Sequence, residues 1–242
     1  IADEHGVVAR GRVVDGGMRD VLADVVPQRA TWRGSFQAVA SHVLGDVAAD
    51  LEPLGAVLVQ NPAIVAEAAR VIDDASAAHL LRPSAIEELV SWLRLSRDHA
   101  GWDRDGLNAD MLDLSPFSAR LQSLALRRGP LSQLHRARLA HLVVGEAEQV
   151  KSASGLIAVL ARTDEMDLLT GARFYRIWLM VTSAGLHVCP MSVLTDDEGL
   201  RGWFSRALGL PGGWKLVHLW RVGRAPRAVP PAPRLPVEEL IA

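Results

Sequence analysis

The chain has 242 residues, 49% hydrophobic and 22% charged, with a formal net charge of −2. That length and balance suit a globular domain with a sizeable core. The near-neutral charge supplies no field to gather nucleic acid or an anionic membrane, and no apolar run approaches the ~20 residues of a membrane-spanning helix. The single cysteine, Cys189, leaves no intrachain disulfide framework and fits a reducing compartment. No basic-then-apolar leader pattern opens the sequence, so a cytoplasmic setting is expected.

Residues 1–17 hold two short β-branched runs separated by glycine and charge, and read as an N-terminal arm or an edge strand. Residues 18–242 read as one domain. Met18–Val26 has helical apolar spacing that Pro27 interrupts. Gln28–Phe36 is a polar turn with two arginines, and Gln37–Leu51 reads as an amphipathic helix. Gly55–Gln60 is a short apolar strand candidate. Asn61-Pro62 then supplies a cap and a first-turn proline for a helix to about Leu80.

Pro83-Ser84 opens a further helix, read over Ala85–Arg97. Residues 98–115 are rich in Asp, Gly and Asn and read as a long ordered loop. Phe117–Arg128 is a weaker helix, broken at Gly129-Pro130, and Leu131–Val144 fits more than one state. Gly155–Leu160 is a buried strand. The last third carries a long apolar helix (Gly171–Gly185), the turn His187–Ser192, a helix (Asp196–Leu208) and a strand (Lys215–Gly223). A proline-rich tail follows. Helices outnumber short, scattered strands, which predicts an α+β fold with helices packed around a small, mainly antiparallel sheet.

Three segments, in order and spacing, resemble the nitroreductase superfamily of flavin mononucleotide (FMN) enzymes: the Arg-x-Thr-x-Arg run of Arg29, Thr31 and Arg33, the turn after the long helix, and the tail Ala-Pro-Arg-Leu-Pro around Arg234. The C-terminal half of the Acg-like branch is the nearest likeness. It covers roughly residues 18–60 and 155–240. The resemblance implies that Arg29, Thr31, Arg33 and Arg234 hold the FMN phosphate and ribityl chain. It also implies that backbone amides of Pro190–Val193, with Met191 and Ser192 between, face the flavin ring. Guanidinium groups suit phosphate because they bind it in a bidentate fork.

Three departures stand beside these matches. Ala232 replaces a further cation of the tail, no glycine lies between Pro190 and Val193, and no Asn-x-Gln-Pro-Trp segment precedes the first strand. Two functions follow. One is an FMN-dependent oxidoreductase acting on a planar electrophilic or small organic substrate. The alternative is a flavin-free partner subunit or ligand- or peptide-binding module. Met166–Arg176 contains no lysine, so azoline oxidation through a Lys-Tyr pair is not expected. By the same resemblance the long helix lies at a dimer interface, which implies a homodimer or a heteromer with a nitroreductase-fold partner.

Other constellations are weaker. The histidines show no HExxH or HxxxH spacing and Cys189 has no CxxC partner, so no metal site is expected. His99 with Asp98, Asp103 and Asp105 is an acid–base cluster, a cation site or a solvated loop. His187 and Cys189 share a face of an extended segment, as a base and nucleophile or as a buried cysteine and its neighbour. Trp32 and Trp102 are candidates for the floor of a planar-substrate pocket or the cover of an interface.

Overall fold

A computed structural model describes residues 17, 19–126, 128–137, 139, 143 and 145–239. Residues 1–16 of the N-terminal arm, 1–17, lie outside the described residues, as do Met18 and part of 131–144.

The central element is β4, Gly155–Arg162, whose residues are buried up to the exposed terminal Arg162. A strand covered on both faces carries apolar side chains at successive positions, which is why Gly-Leu-Ile-Ala-Val-Leu shows no alternation. Strand β1, Ala56–Val59, and β6, Trp214–Gly223, flank β4, and β5, His187–Pro190, closes the sheet beyond β6. Every pairing in the order β1-β4-β6-β5 is antiparallel. The β4–β6 register slips between Val159 and Leu160, because Val159 faces His218 and Leu160 faces Leu216. Val217 is the extra residue of this bulge. It lets Leu216 and Leu219 point to one face, and Trp220 and Val222 to the other.

One face packs Leu156, Ala158 and Leu160 against α2, Pro62–Leu80, the short α6, Ala147–Lys151, the one-turn α8, Val193–Asp196, and α9, Glu198–Ala207. The other packs Ile157 and Val159 against α1, Ser41–Leu51, and the long α7, Asp167–Ser183. Helix α2 starts as its sequence predicts: Asn61 accepts from the Ala63 N–H at 2.9 Å and Pro62 occupies the first turn. This is the α+β architecture expected from the sequence, with helices on both faces of a small antiparallel sheet.

Several boundaries differ, each for a local reason. Ala23–Gln28 is a 3-10 helix with Pro27 inside it. Helix α1 begins at Ser41 because Gln37 is bridged to Arg224 at the end of β6. Helix α3, Pro83–Trp92, stops short of Arg97, since Leu93–Arg94 (β2) turns extended and pairs in parallel with Leu107–Asn108 (β3). Helix α4 spans Pro116–Ala125. Gly129-Pro130 does not end a helix; it lies in the first turn of α5, Arg128–Arg136, where the missing proline N–H is not needed. Asp197 divides the predicted Asp196–Leu208 helix. Its backbone is extended and its side chain caps α9 through the Leu200 N–H at 2.8 Å.

The loop 95–115 is ordered, with Trp102 buried among Ala109, Ala119, Leu95 and Leu114. Arg94 ties it to Asp105 at 2.8 Å, and the His99 ring accepts from the Gly101 N–H at 2.9 Å. His99 and Asp105 therefore build the loop instead of forming an acid–base cluster.

Candidate functional site

The segment 29–37 runs along the free edge of β5. Thr31 forms an isolated parallel bridge to Val188, and the Trp32 N–H donates to the Val188 carbonyl at 3.3 Å. Trp32 is buried and its indole N–H donates to the Ser35 carbonyl at 2.9 Å, so it is a core residue and not a pocket floor. Arg221 on β6 has no solvent exposure; its guanidinium donates to the carbonyls of Gly34 at 2.7 Å and Arg33 at 2.6 Å. That fork fixes the backbone from which the Arg33 side chain departs.

Arg33 faces a cleft of about 860 Å³, a size suited to a small-molecule ligand. Glu146 and the Pro190, Met191, Ser192 and Val193 turn share its floor, while Leu80, Leu89, Leu93, Leu107 and Leu126 are among the apolar residues of its walls. The Met191 N–H is committed to the Leu219 carbonyl at 2.9 Å, whereas the Ser192 and Val193 N–H groups make no hydrogen bond among the described residues. Ser192 is right-handed, with φ −53° and ψ −39°. Presenting these two amides therefore needs no glycine.

Three polar groups in the cleft lack partners. Arg33 Nη1 and Gln122 Oε1 are shielded from solvent with no hydrogen-bond partner among the described residues, although Gln122 Nε2 donates to the Val143 carbonyl at 3.2 Å. The Glu146 carboxylate forms no hydrogen bond or ion pair among the described residues, while its backbone N–H is held by Asp73 at 2.6 Å. Burial pushes the Glu146 carboxyl above the usual carboxylate range, against the opposing pull of Arg221 and Arg33. Buried polar groups in proteins are almost always paired. Arg33 Nη1 and Gln122 Oε1, shielded and unpaired in one cleft, point to a ligand, and the partly buried Glu146 carboxylate lies beside them.

The structure divides the residues singled out in the sequence into two sets. Arg33, Pro190, Met191 and Ser192 come together at the cleft. Arg29 and Arg234 meet elsewhere: Arg234 Nη2 donates to the Arg29 carbonyl at 3.4 Å. The Arg29 guanidinium lies over the Trp178 ring, 4.7 Å from its centroid, and 5.7 Å from that of Tyr175, with Nε shielded and unpaired. Thr31 serves the β5 edge. Glu146 and Gln122 were not apparent in the sequence, since Gly-Glu-Ala-Glu reads as an ordinary helix start.

Cys189 is not an activated nucleophile. It is buried in β5, burial raises its thiol pKa, and His187 beside it is held below its ordinary pKa by its own desolvation. Among the described residues no group of three His, Cys, Asp or Glu side chains is placed to hold a metal ion. No helix among them is long and apolar enough to cross a membrane.

Neither a protein-family model nor a curated protein sequence matches this chain. Solved structures do match. Oxidised iodotyrosine deiodinase bound to FMN and 3-iodo-L-tyrosine aligns with a TM-score of 0.54 at 13% identity, covering 89% of this chain and 96% of that one. A nitroreductase with bound FMN from Desulfitobacterium hafniense DCB-2 aligns with a TM-score of 0.50 at 14% identity, covering 93% and 98%. The fold is the nitroreductase fold. At such identities the likeness concerns architecture; the chemistry rests on the residues of the cleft.

Proposed function

We propose that this chain is an FMN-dependent oxidoreductase whose flavin ring lies in the cleft between Arg33 and the Pro190–Val193 turn. The observation that carries the proposal is the shielded, unpaired Arg33 Nη1 in the same cleft as the free amides of Ser192 and Val193. Both solved structures of this fold described above contain FMN. The donors fit the group: a flavin ring offers carbonyl and ring-nitrogen acceptors, which a guanidinium and two backbone N–H groups can satisfy.

Bound FMN supplies two-electron chemistry that the side chains cannot. The residues of this chain bind and orient it and exclude water beneath the leucine-rich walls. Arg33, Ser192 and Val193 take the ring. The resemblance assigns the ribityl phosphate to Arg29, Thr31 and Arg234, which lie outside the cleft lining here, so this part of the proposal requires Arg29 to leave the Trp178 face. Such a site, apolar around a flat ring, suits a planar electrophilic or small organic substrate. The wider kinship proposed for the chain is with the C-terminal half of Acg-like proteins.

The flavin-free alternative, a partner subunit or ligand-binding module, draws support from two observations. Arg29 folds onto Trp178 and Tyr175 and away from the cleft. The chain also passes from α1 through the 3-10 turn Glu52–Leu54 straight into β1, with no Asn/Gln-bearing segment between. One experiment separates the readings: titration of the protein with FMN, followed by flavin fluorescence, with Arg33→Ala alongside. Saturable binding weakened at least about tenfold by Arg33→Ala supports the flavoenzyme. No binding by a folded protein supports the flavin-free module.

Pairing with a second nitroreductase-fold chain is part of the same proposal. Met166, just before α7, is exposed, as are Leu168, Leu169 and Tyr175 on it, and exposed large apolar side chains gathered on one element suit an interface. A monomer by light scattering coupled to size-exclusion chromatography contradicts it.

A further inference from the structure

Arg33 and Glu146 present an open charge pair. The Arg33 charge acts on the Glu146 carboxyl, yet no ion pair or hydrogen bond joins the two among the described residues, and both line the cleft. An arginine and a carboxylate free to approach close into a forked pair. Here they do not, although the backbone of each is anchored. Arg33 is pinned through its carbonyl by Arg221, and Glu146 and Ala147 are pinned through their N–H groups by Asp73 at 2.6 and 3.0 Å. Gln122 adds a second acceptor, its Oε1, shielded and unpaired.

These groups restrict what completes them. A purely anionic ligand meets Glu146 unfavourably and a purely cationic one meets Arg33. A hydrocarbon covering the cleft leaves both charges unpaired and removes the water that still reaches them, which is costly. A ligand with a ring N–H beside a carbonyl satisfies both, and the leucine-rich walls favour a flat apolar body behind that edge.

We propose that Arg33 and Glu146 together read the N–H and C=O edge of a cyclic imide, Glu146 accepting from the ring N–H and Arg33 donating to the adjacent carbonyl. The proposal deepens the flavin reading of this cleft and rests on it: the edge is then the pyrimidine edge of the isoalloxazine, and the acceptor is Glu146, a residue outside the segments that resemble flavin enzymes.

The test compares FMN with its N3-methyl derivative, which lacks only the ring N–H. The wild-type protein is expected to bind FMN at least about tenfold more tightly than N3-methyl-FMN, since a site built for a hydrogen bond rejects an analogue that lacks it. Glu146→Ala is expected to bring that ratio close to one, and Glu146→Gln, which keeps size and shape, to leave it between the two. Equal binding of both ligands by the wild-type protein overturns the proposal without touching the flavin reading. A ratio unchanged in a folded Glu146→Ala protein overturns it too. If FMN fails to bind, the flavin reading fails, and lumiflavin against N3-methyl-lumiflavin, the isoalloxazine ring without its phosphate chain, decides the pair alone. Discrimination between those two supports the pair; binding of neither, or of both equally, refutes it.

Discussion

Replacing Arg221 with methionine tests how the site is built. Arg221 is completely buried, and its two short hydrogen bonds are what hold the Gly34 and Arg33 carbonyls against the sheet. Its guanidinium also lies 5.3 Å from the Phe36 ring centroid. Hydrogen bonds to a charged donor contribute about 1.5–3 kcal/mol each, so two contribute roughly 3–6 kcal/mol. Methionine keeps much of the volume and relieves the desolvation of the guanidinium, which offsets part of that sum. A net loss of about 3 kcal/mol remains, equivalent to a fall in Tm of roughly 6–12 °C for a chain of this size. Differential scanning calorimetry measures it, with urea unfolding as a check on two-state behaviour. Arg221→Lys, which keeps the charge and loses the fork, is expected to fall between. At 25 °C the folded Arg221→Met protein is expected to bind FMN more weakly, because Arg33 loses its anchor. A change below about 1 kcal/mol, or a gain in stability, refutes this reasoning and means that the buried charge costs more than its bonds return.

Two further substitutions probe particular features. The Glu146 carboxyl titrates above its ordinary range in the folded chain because it is buried. Between the unfolded and folded pKa values the folded state therefore binds more protons, so stability falls as pH rises through that window. Glu146→Gln is expected to remove this slope and to be more stable than wild type at pH 7 in urea titrations; an unchanged slope contradicts the assignment. Gly55 has φ +73°, and an added Cβ lies 2.5 Å from Arg173 Nη1 and 3.2 Å from the Leu160 carbonyl. Gly55→Ala should cost about 1–3 kcal/mol by chemical denaturation, and a neutral result argues against the left-handed turn into β1.

The sheet and its long helices were legible in the sequence because their signals are local. Strand β4 is an unbroken apolar run, Asn61-Pro62 is a cap and a first-turn proline, and Gly185 after α7 takes φ +70° as helix-ending glycines do. The misplaced boundaries trace to distant partners. Nothing in Gln37 announces its bridge to Arg224, and nothing in Leu93–Arg94 announces its pairing with Leu107–Asn108. The candidate site was half legible. Arg33 and the Pro190–Val193 turn stood out through their resemblance to flavin enzymes, and the structure places them on one cleft. Glu146 and Gln122 did not, because what distinguishes them is an unmet hydrogen-bonding capacity that exists only once α2, α4 and the sheet have packed. Trp32 and Trp102 misled for the converse reason: both rings sit in polar stretches of sequence, yet folding turns them inward.

The most direct measurement is a crystal structure of the protein grown with FMN. Flavin density in the cleft, with the ring against Arg33 and the Ser192 and Val193 amides, is the result predicted. A cleft without flavin under saturating FMN, or flavin bound at a different surface, contradicts the central claim.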